Sequence, residues 1–261
     1  MIIAETSIRG KLHEQYGVAN QDRCTVFKVR DTVCAVLCDG VSLNSQMHIS
    51  HSEIAASFCA KKMKSILSSI EFHKLSHEEL SEVLPDAFDL TEKALRRSLN
   101  EKGIDPSDSM TTMIALVYRK GALYAGIAGD GGILYQRKDG SIAAMFTQIK
   151  TSSAVWPLSS RKQWKFFSSV YEGASPVGRI VAATDGVFDT LFYLNSNNIA
   201  ACSIQNLRAL FSISKVHEKR RDEALRKLVA QIPSNDDLSC VIIEDPHNFR
   251  HSTKRKNPDS H

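Results

Sequence analysis

No stretch of this chain approaches the roughly 20 apolar residues that a membrane-spanning helix needs, and no two cysteines are spaced as Cys-x-x-Cys. The first absence argues against a membrane protein. The second removes the usual signature of a zinc knuckle or thiol redox centre. The six cysteines, at 24, 34, 38, 59, 202 and 240, fall mostly inside apolar runs, where reduced core side chains are expected. The opening residues, MIIAETSIRGKLHEQYG, have no basic start followed by a long apolar stretch. They do not read as a secretory signal, so a cytoplasmic location is expected. The interior has no run rich in proline, glycine and serine to act as a linker, and no internal repeat. One domain over residues 1–246 is therefore the simplest division.

Charge of one sign is scarce as well. The formal net charge is +4. Most of that excess belongs to residues 247–261, where Arg250, Lys254, Arg255 and Lys256 face only Asp259. This tail reads as a solvated, disordered end, and the nearly neutral body has no sustained basic stripe. No stable nucleic-acid partner and no membrane surface are expected. What is present is ordinary globular composition: 43% hydrophobic and 24% charged over 261 residues, enough to bury a substantial core.

The apolar pattern begins with strands at 24–30 and 33–38, with a turn at Asp31-Thr32. Residues 48–70 space Ile49, Ile54, Ala55, Phe58, Cys59, Met63, Ile66 and Leu67 along one helical face. Ser76 with Glu79 forms a capping-box pair ahead of a second helix to about Asn100, which Pro85 is expected to kink or divide. Short strands follow as TTMIALVYR, ALYAGIA, GILYQR and SIAAMF, separated by Lys120-Gly121, Gly129 to Gly131 and Asp139-Gly140, the pattern of an antiparallel meander. Residues 148–178 read as a flap or surface loop holding Trp156 and Trp164. RIVAAT, a helix over 216–232 and a last strand at 238–243 complete the order. Strands, then helices, then strands without regular alternation indicate an α+β arrangement rather than a doubly wound sheet.

Acidic residues stand at the ends of apolar strands: Asp39 after VCAVLC, Asp130 after ALYAGIAG and Asp185 after RIVAAT. Asp22 precedes a strand, and Asp236-Asp237 precede the last one. Any single aspartate so placed is more often a turn former than a ligand. Several together, with no histidine or cysteine companions, select a hard divalent cation such as Mg²⁺ or Mn²⁺. Asp39 and Asp185 are each followed by Gly and Val, and glycine allows the tight backbone path needed if its own carbonyl also faces an ion.

The order of these motifs resembles the PP2C-type, metal-dependent serine/threonine phosphatase family, especially its compact bacterial members. The matching segments are Gly10 to Asp22, Asp39-Gly40-Val41, Ser109-Met110-Thr111-Thr112, Gly129-Asp130, Thr184 to Asp189 and Asp236-Asp237-Leu238-Ser239. The resemblance implies a four-layer α-β-β-α sandwich, two antiparallel sheets packed face to face with helices outside. It implies a phosphoprotein substrate, attacked by a water held between two Mg²⁺ or Mn²⁺ ions. Asp39, Asp185 and Asp236 would be the catalytic carboxylates. Asp39 would bridge the ions, Asp185 and Asp236 would serve one, and Asp22 with the Gly40 carbonyl the other. Asp130 and Asp189 resemble the family's third, weaker metal site.

Three departures stand out. Val41 and Ser42 follow Asp39-Gly40 where many members have His. Gly131-Gly132 replaces the Ser-Arg of Gly-Asp-Ser-Arg. No Arg lies between His13 and Asp22 to grip a phosphate; His13 or Arg9 could substitute, although residues so placed more often have a structural role. The altered segment keeps open a pseudophosphatase acting as a binding module. The all-oxygen site and basic tail keep open a metal-dependent phosphodiesterase acting on nucleic acid. His48 and His51 share a helical face but lack a third zinc ligand.

Overall fold

The computed structural model describes residues 1–41, 51–145, 155–172, 175–195 and 198–248. The whole 48–50 start of the expected helix, with His48, and the tail from 249 onward lie outside them. In chain order the elements are β1 (Ile2–Ile8), α1 (Lys11–Gln15), β2 (Arg23–Val29), β3 (Thr32–Cys38), α2 (Ser52–Ser68) and α3 (His77–Glu101). Next come β4 (Met113–Arg119), β5 (Ala122–Ala128), β6 (Gly132–Arg137), β7 (Ile142–Met145), β8 (Lys165–Ser168) and β9 (Val177–Ala183). The last are α4 (Asp185–Leu191), β10 (Leu194–Asn195), β11 (Asn198–Ile199), α5 (Ala201–Phe211), α6 (Arg221–Val229) and β12 (Leu238–Glu244).

The long strands form two five-stranded antiparallel sheets, ordered β1-β12-β9-β6-β7 and β2-β3-β4-β5-β8. β3 shows why its run is apolar throughout rather than alternating. Val33, Ala35 and Leu37 face the second sheet, against Ile180, Ala182 and Val241. Cys34, Val36 and Cys38 face α2 and α3, against Ala56, Cys59, Met63 and Phe88. A strand covered on both faces has no place for polar residues. The other sheet is covered outside by α4, α5 and α6 through Val187, Leu207, Phe211 and Leu225. The result is the expected α-β-β-α sandwich, with cores between the sheets and beneath each helical layer.

Several elements differ from the sequence pattern for local reasons. The first hairpin turns at Arg30-Asp31 rather than Asp31-Thr32, because Val29 pairs with Thr32 and Arg30 takes a positive φ of 55°. Lys120 and Gly121 turn the β4–β5 hairpin with φ of 51° and 87°, a backbone twist that matches the strands. Ser76 and Glu79 complete the capping box. Pro85 does not divide α3, which runs unbroken for 25 residues. Its buried face of Leu80, Leu84, Ala87, Phe88, Leu95 and Leu99 outweighs the roughly 3 kcal/mol that an interior proline costs. The 216–232 region contracts to α6, preceded by a short 3-10 turn at Glu218–Arg220. Within the expected flap, Lys165–Ser168 is an edge strand hydrogen-bonded to β5. Trp164 packs edge-on against Phe88 and donates its indole N–H to the Leu158 carbonyl at 2.9 Å, whereas Trp156 is half exposed. No described helix is long and apolar enough to cross a membrane.

Candidate metal centre

One end of the sandwich collects the strand-end aspartates. Asp39 follows β3, and its backbone is clasped by the segment that leads into β4. The Asp39 N–H donates to Thr112 Oγ1 at 3.2 Å. Its carbonyl accepts from the Thr112 N–H at 2.8 Å and from Thr111 Oγ1 at 2.9 Å. Val41 N–H donates to the Met110 carbonyl at 3.0 Å, and Ser109 Oγ donates to the His51 carbonyl at 2.7 Å. Ser109-Met110-Thr111-Thr112 is thus a clamp that fixes where the Asp39 side chain starts. Gly40 is obligatory: a Cβ there would lie 2.8 Å from Ser52 Cβ and 2.9 Å from Gln21 Cβ, closer than real contacts allow.

Asp39, Asp130 and Asp185 each bring a carboxylate oxygen within 4.8 Å of the others. Asp130 is buried at the end of β5. Gly129 reaches it with φ of 119°, and its missing Cβ leaves room for the Thr112 side chain. Asp185 is the first residue of α4, and its Oδ1 accepts the Gly186 N–H at 2.8 Å. Asp189, one helical turn later, is exposed and is not in this group of three.

Asp22 is 1% exposed. Its Oδ2 accepts Thr184 Oγ1–H at 2.7 Å, while its Oδ1 is buried with no hydrogen-bond partner among the described residues. Burial pushes its carboxyl up to about 8, opposed by the Thr184 bond and reinforced by Asp237 and Asp236. Asp39 is raised well above the ordinary carboxylate range, first by desolvation and then by the charges of Asp22, Asp185, Asp236 and Asp130. Asp236 is raised as well, by desolvation and then by Asp185. The charges that act most strongly on Asp39 are carboxylates of its own kind. Such a crowd is stable only if it takes up protons or a polyvalent cation.

Asp237 behaves differently from its neighbour Asp236. Its two oxygens accept the N–H groups of Gly10 and Gln21, each at 2.6 Å, and His13 Nδ1 lies 3.0 Å from Oδ1. Asp237 therefore bolts the start of β12 to both ends of the segment that delivers Asp22. Arg9 donates through Nη2 to the His13 carbonyl at 2.7 Å, so both residues weighed as phosphate grips are engaged in holding this segment. Thr184 is equally structural: besides binding Asp22, its Oγ1 accepts the Ser239 N–H at 3.1 Å. Sequence reasoning overlooked the roles of Asp237 and Thr184. The only hint was their position inside segments already singled out.

The Gly131-Gly132 departure has a packing cause. A Cβ on Gly132 would sit 2.3–2.5 Å from the Phe188 ring, and one on Gly131 would sit 2.6 Å from the Ala183 carbonyl oxygen. Phe188 fills the space that a larger residue at 132 would need.

A family model described as protein phosphatase 2C matches residues 9–230. No curated protein matches the chain by sequence. Among solved structures, a bacterial serine phosphatase superposes with a TM-score of 0.64 at 15% identity, over 93% of this chain and 96% of that one. The serine/threonine phosphatase Stp1 from Staphylococcus aureus gives a TM-score of 0.62 at 14% identity, over 94% and 95%. RsbX in complex with magnesium gives 0.51 at 10% identity, over 92% of each chain. At these identities the likeness to solved structures is one of fold.

Proposed function

Because the chain belongs to the protein phosphatase 2C family, and so is a serine/threonine protein phosphatase, we propose that it removes phosphate from phosphoserine and phosphothreonine in other proteins with the help of two Mg²⁺ or Mn²⁺ ions. Asp22, Asp39, the Gly40 carbonyl, Asp185 and Asp236 would hold the pair. Asp130 and Asp189 would offer a third, weaker position. The observation that carries this reading is the buried Oδ1 of Asp22, without a hydrogen-bond partner among the described residues, beside a cluster whose carboxylates raise the proton affinity of Asp39. An all-oxygen donor set of this kind suits hard cations. The magnesium bound to RsbX, a structural neighbour, agrees with that choice.

Bound cations would supply charge neutralisation at the phosphoryl oxygens and an acidified water as nucleophile. The chain's own part is to hold its ligands in place before substrate arrives. Asp39 is held at its backbone by Thr111 and Thr112, and Asp22 is oriented by the Thr184 hydroxyl. The Asp22 segment and the Asp236-Asp237 turn ahead of β12 are tied together through Asp237. A preorganised centre of this kind needs no covalent enzyme intermediate.

The test is phosphate release from a phosphothreonine peptide with Mn²⁺, with Mg²⁺ or with EDTA, alongside Asp39→Ala. We expect metal-dependent release that EDTA abolishes and that falls on the order of a thousandfold in the variant. Folded wild-type protein that binds Mn²⁺ yet releases no phosphate from several phosphopeptides would overturn the catalytic reading in favour of a binding module.

A further inference from the structure

Two grooves bearing basic side chains lie on the helical side of the β2–β8 sheet, and they differ in how their charge is spent. The larger, about 760 Å³, is lined by Lys93, Arg96, Arg97, Asn100, Glu101 and Arg161. Most of its cations are already paired: Lys93 with Asp89 at 2.6 Å, Arg96 with Glu92 at 2.6 Å, and Arg161 with Asp89 at 2.7 Å and with Glu92. That groove is a latch holding the Arg161 segment onto α3.

The smaller groove, about 370 Å³, is lined by Arg23, Lys61 and Lys102 around Ile54, Ser57 and Phe58, with Glu53 as its one carboxylate. Among the described residues, neither Lys61 nor Lys102 has an ion-pair partner. Arg23 donates through Nη1 to the carbonyls of Asn20 and Asp22, at 2.7 and 2.6 Å, and makes no ion pair among the described residues. Three cations thus face one anion over a partly apolar floor.

The groove's position gives this charge a use. Arg23 directly follows Asp22 and pairs across the sheet with Cys38, the residue before Asp39. Ser52, the first residue of α2, donates its hydroxyl to the carbonyl of Val41, next to Gly40, at 2.6 Å, and Ile54, Ser57, Phe58 and Lys61 continue along that helix. The groove therefore lies against the strand that follows Asp22 and the helix that follows the Asp39-Gly40 turn. An extended peptide covers about 3.3 Å per residue, so a chain whose phosphorylated residue sits at the cluster can lay its next few residues along the groove.

Resting on the phosphatase reading above, we propose that this groove is a docking site for acidic residues flanking the phosphorylated residue of a protein substrate. Its contribution is to binding, present equally in ground and transition states, so it acts on KM and not on kcat. It weakens with salt, because exposed charges are screened beyond about 8 Å at physiological ionic strength.

The experiment compares phosphothreonine peptides with acidic and neutral flanks on wild type and on Lys61→Glu/Lys102→Glu, with Lys61→Ala/Lys102→Ala as a milder pair and Arg97→Glu as a control in the other groove. Both lysines are exposed and outside the metal centre. Para-nitrophenyl phosphate, which has no flank, reports the centre alone, and fluorescence anisotropy of the labelled peptides reports the groove without turnover. We expect wild type to favour the acidic flank in KM and in anisotropy by about tenfold at low salt. The charge reversal should erase that preference and the alanine pair should reduce it. Arg97→Glu, kcat and hydrolysis of para-nitrophenyl phosphate should not change. An acidic preference that is absent from wild-type binding, survives the reversal or moves equally with Arg97→Glu overturns the proposal. Loss of para-nitrophenyl phosphate hydrolysis with peptide discrimination intact would instead count against the phosphatase reading alone.

Discussion

Asp22 and Asp237 are equally hidden, 1% and 2% exposed, and sit in the same corner of the sandwich, yet the fold treats them in opposite ways. Both oxygens of Asp237 receive a short backbone N–H bond. Asp22 receives the Thr184 hydroxyl on Oδ2, and its Oδ1 has no hydrogen-bond partner among the described residues. A buried carboxylate whose lone pairs are met by fixed donors is a structural clamp. One that is left half-satisfied carries a cost that folding alone does not repay, and the natural way to repay it is a cation. The contrast separates scaffold from proposed ligand within one cluster, which neither residue type nor burial can do.

The sharpest way to break this comparison is Asp237→Ala. It strands two buried N–H donors and releases the Asp22 segment from β12, so we expect a loss of about 3–5 kcal/mol in urea unfolding of the metal-free protein. A loss below about 1 kcal/mol would mean that the clamp is ornamental. Asp22→Asn should act with the opposite sign on the metal-free protein. Removing a buried carboxyl that must take up a proton to stay folded should stabilise it by about 1–2 kcal/mol at neutral pH, while calorimetric Mn²⁺ affinity drops at least about tenfold. If this variant instead unfolds more easily and binds Mn²⁺ normally, Asp22 belongs with Asp237 as scaffold.

The smallest expected effect is in pH dependence. The folded-state pKa of Asp22 is raised, to about 8, above an unfolded value of about 4. Between those limits the folded chain binds the extra proton, so stability is full below the lower limit and declines as pH rises through the upper one. Metal-free protein should therefore melt a few degrees lower at about pH 8 than at about pH 5. Saturating Mn²⁺ should flatten the slope, and Asp22→Asn should make it shallower. A metal-free melting temperature that climbs over the same range would reverse the sign we assign.

How much of the fold could be read in advance depended on how strongly each segment declares itself. β3 is apolar on both faces, and α3 opens with a capping box, so both were legible. β1 was not: its sequence IIAETSI loses its apolar run after Ala4, because it is an edge strand paired only with β12. There Glu5 turns its carboxylate to the Val26 N–H rather than to solvent. α4 spans seven residues, too few for a helical period to register. α5 buries only Ser203, Leu207, Leu210 and Phe211 and went unread. β8, four residues long at the sheet edge, was hidden in what looked like loop.

The chain's sequence alone determined the inventory: which strands are buried on both faces, which aspartates stand at their ends, and the glycines at 40 and 129 that let the backbone pass so closely. These are local properties, set by neighbours within a few positions. Only the tertiary structure decided that Asp130 joins Asp39 and Asp185 within 4.8 Å while Asp189 lies outside that group. It also decided that Asp237 is a bolt, and that the Phe188 ring occupies the space beside Gly132. Those outcomes depend on how two sheets stack and where segments more than 200 residues apart, such as Gly10 and Asp237, come to rest. A side chain's role there is set by the donors and charges that packing brings to it, and one-dimensional spacing does not contain them.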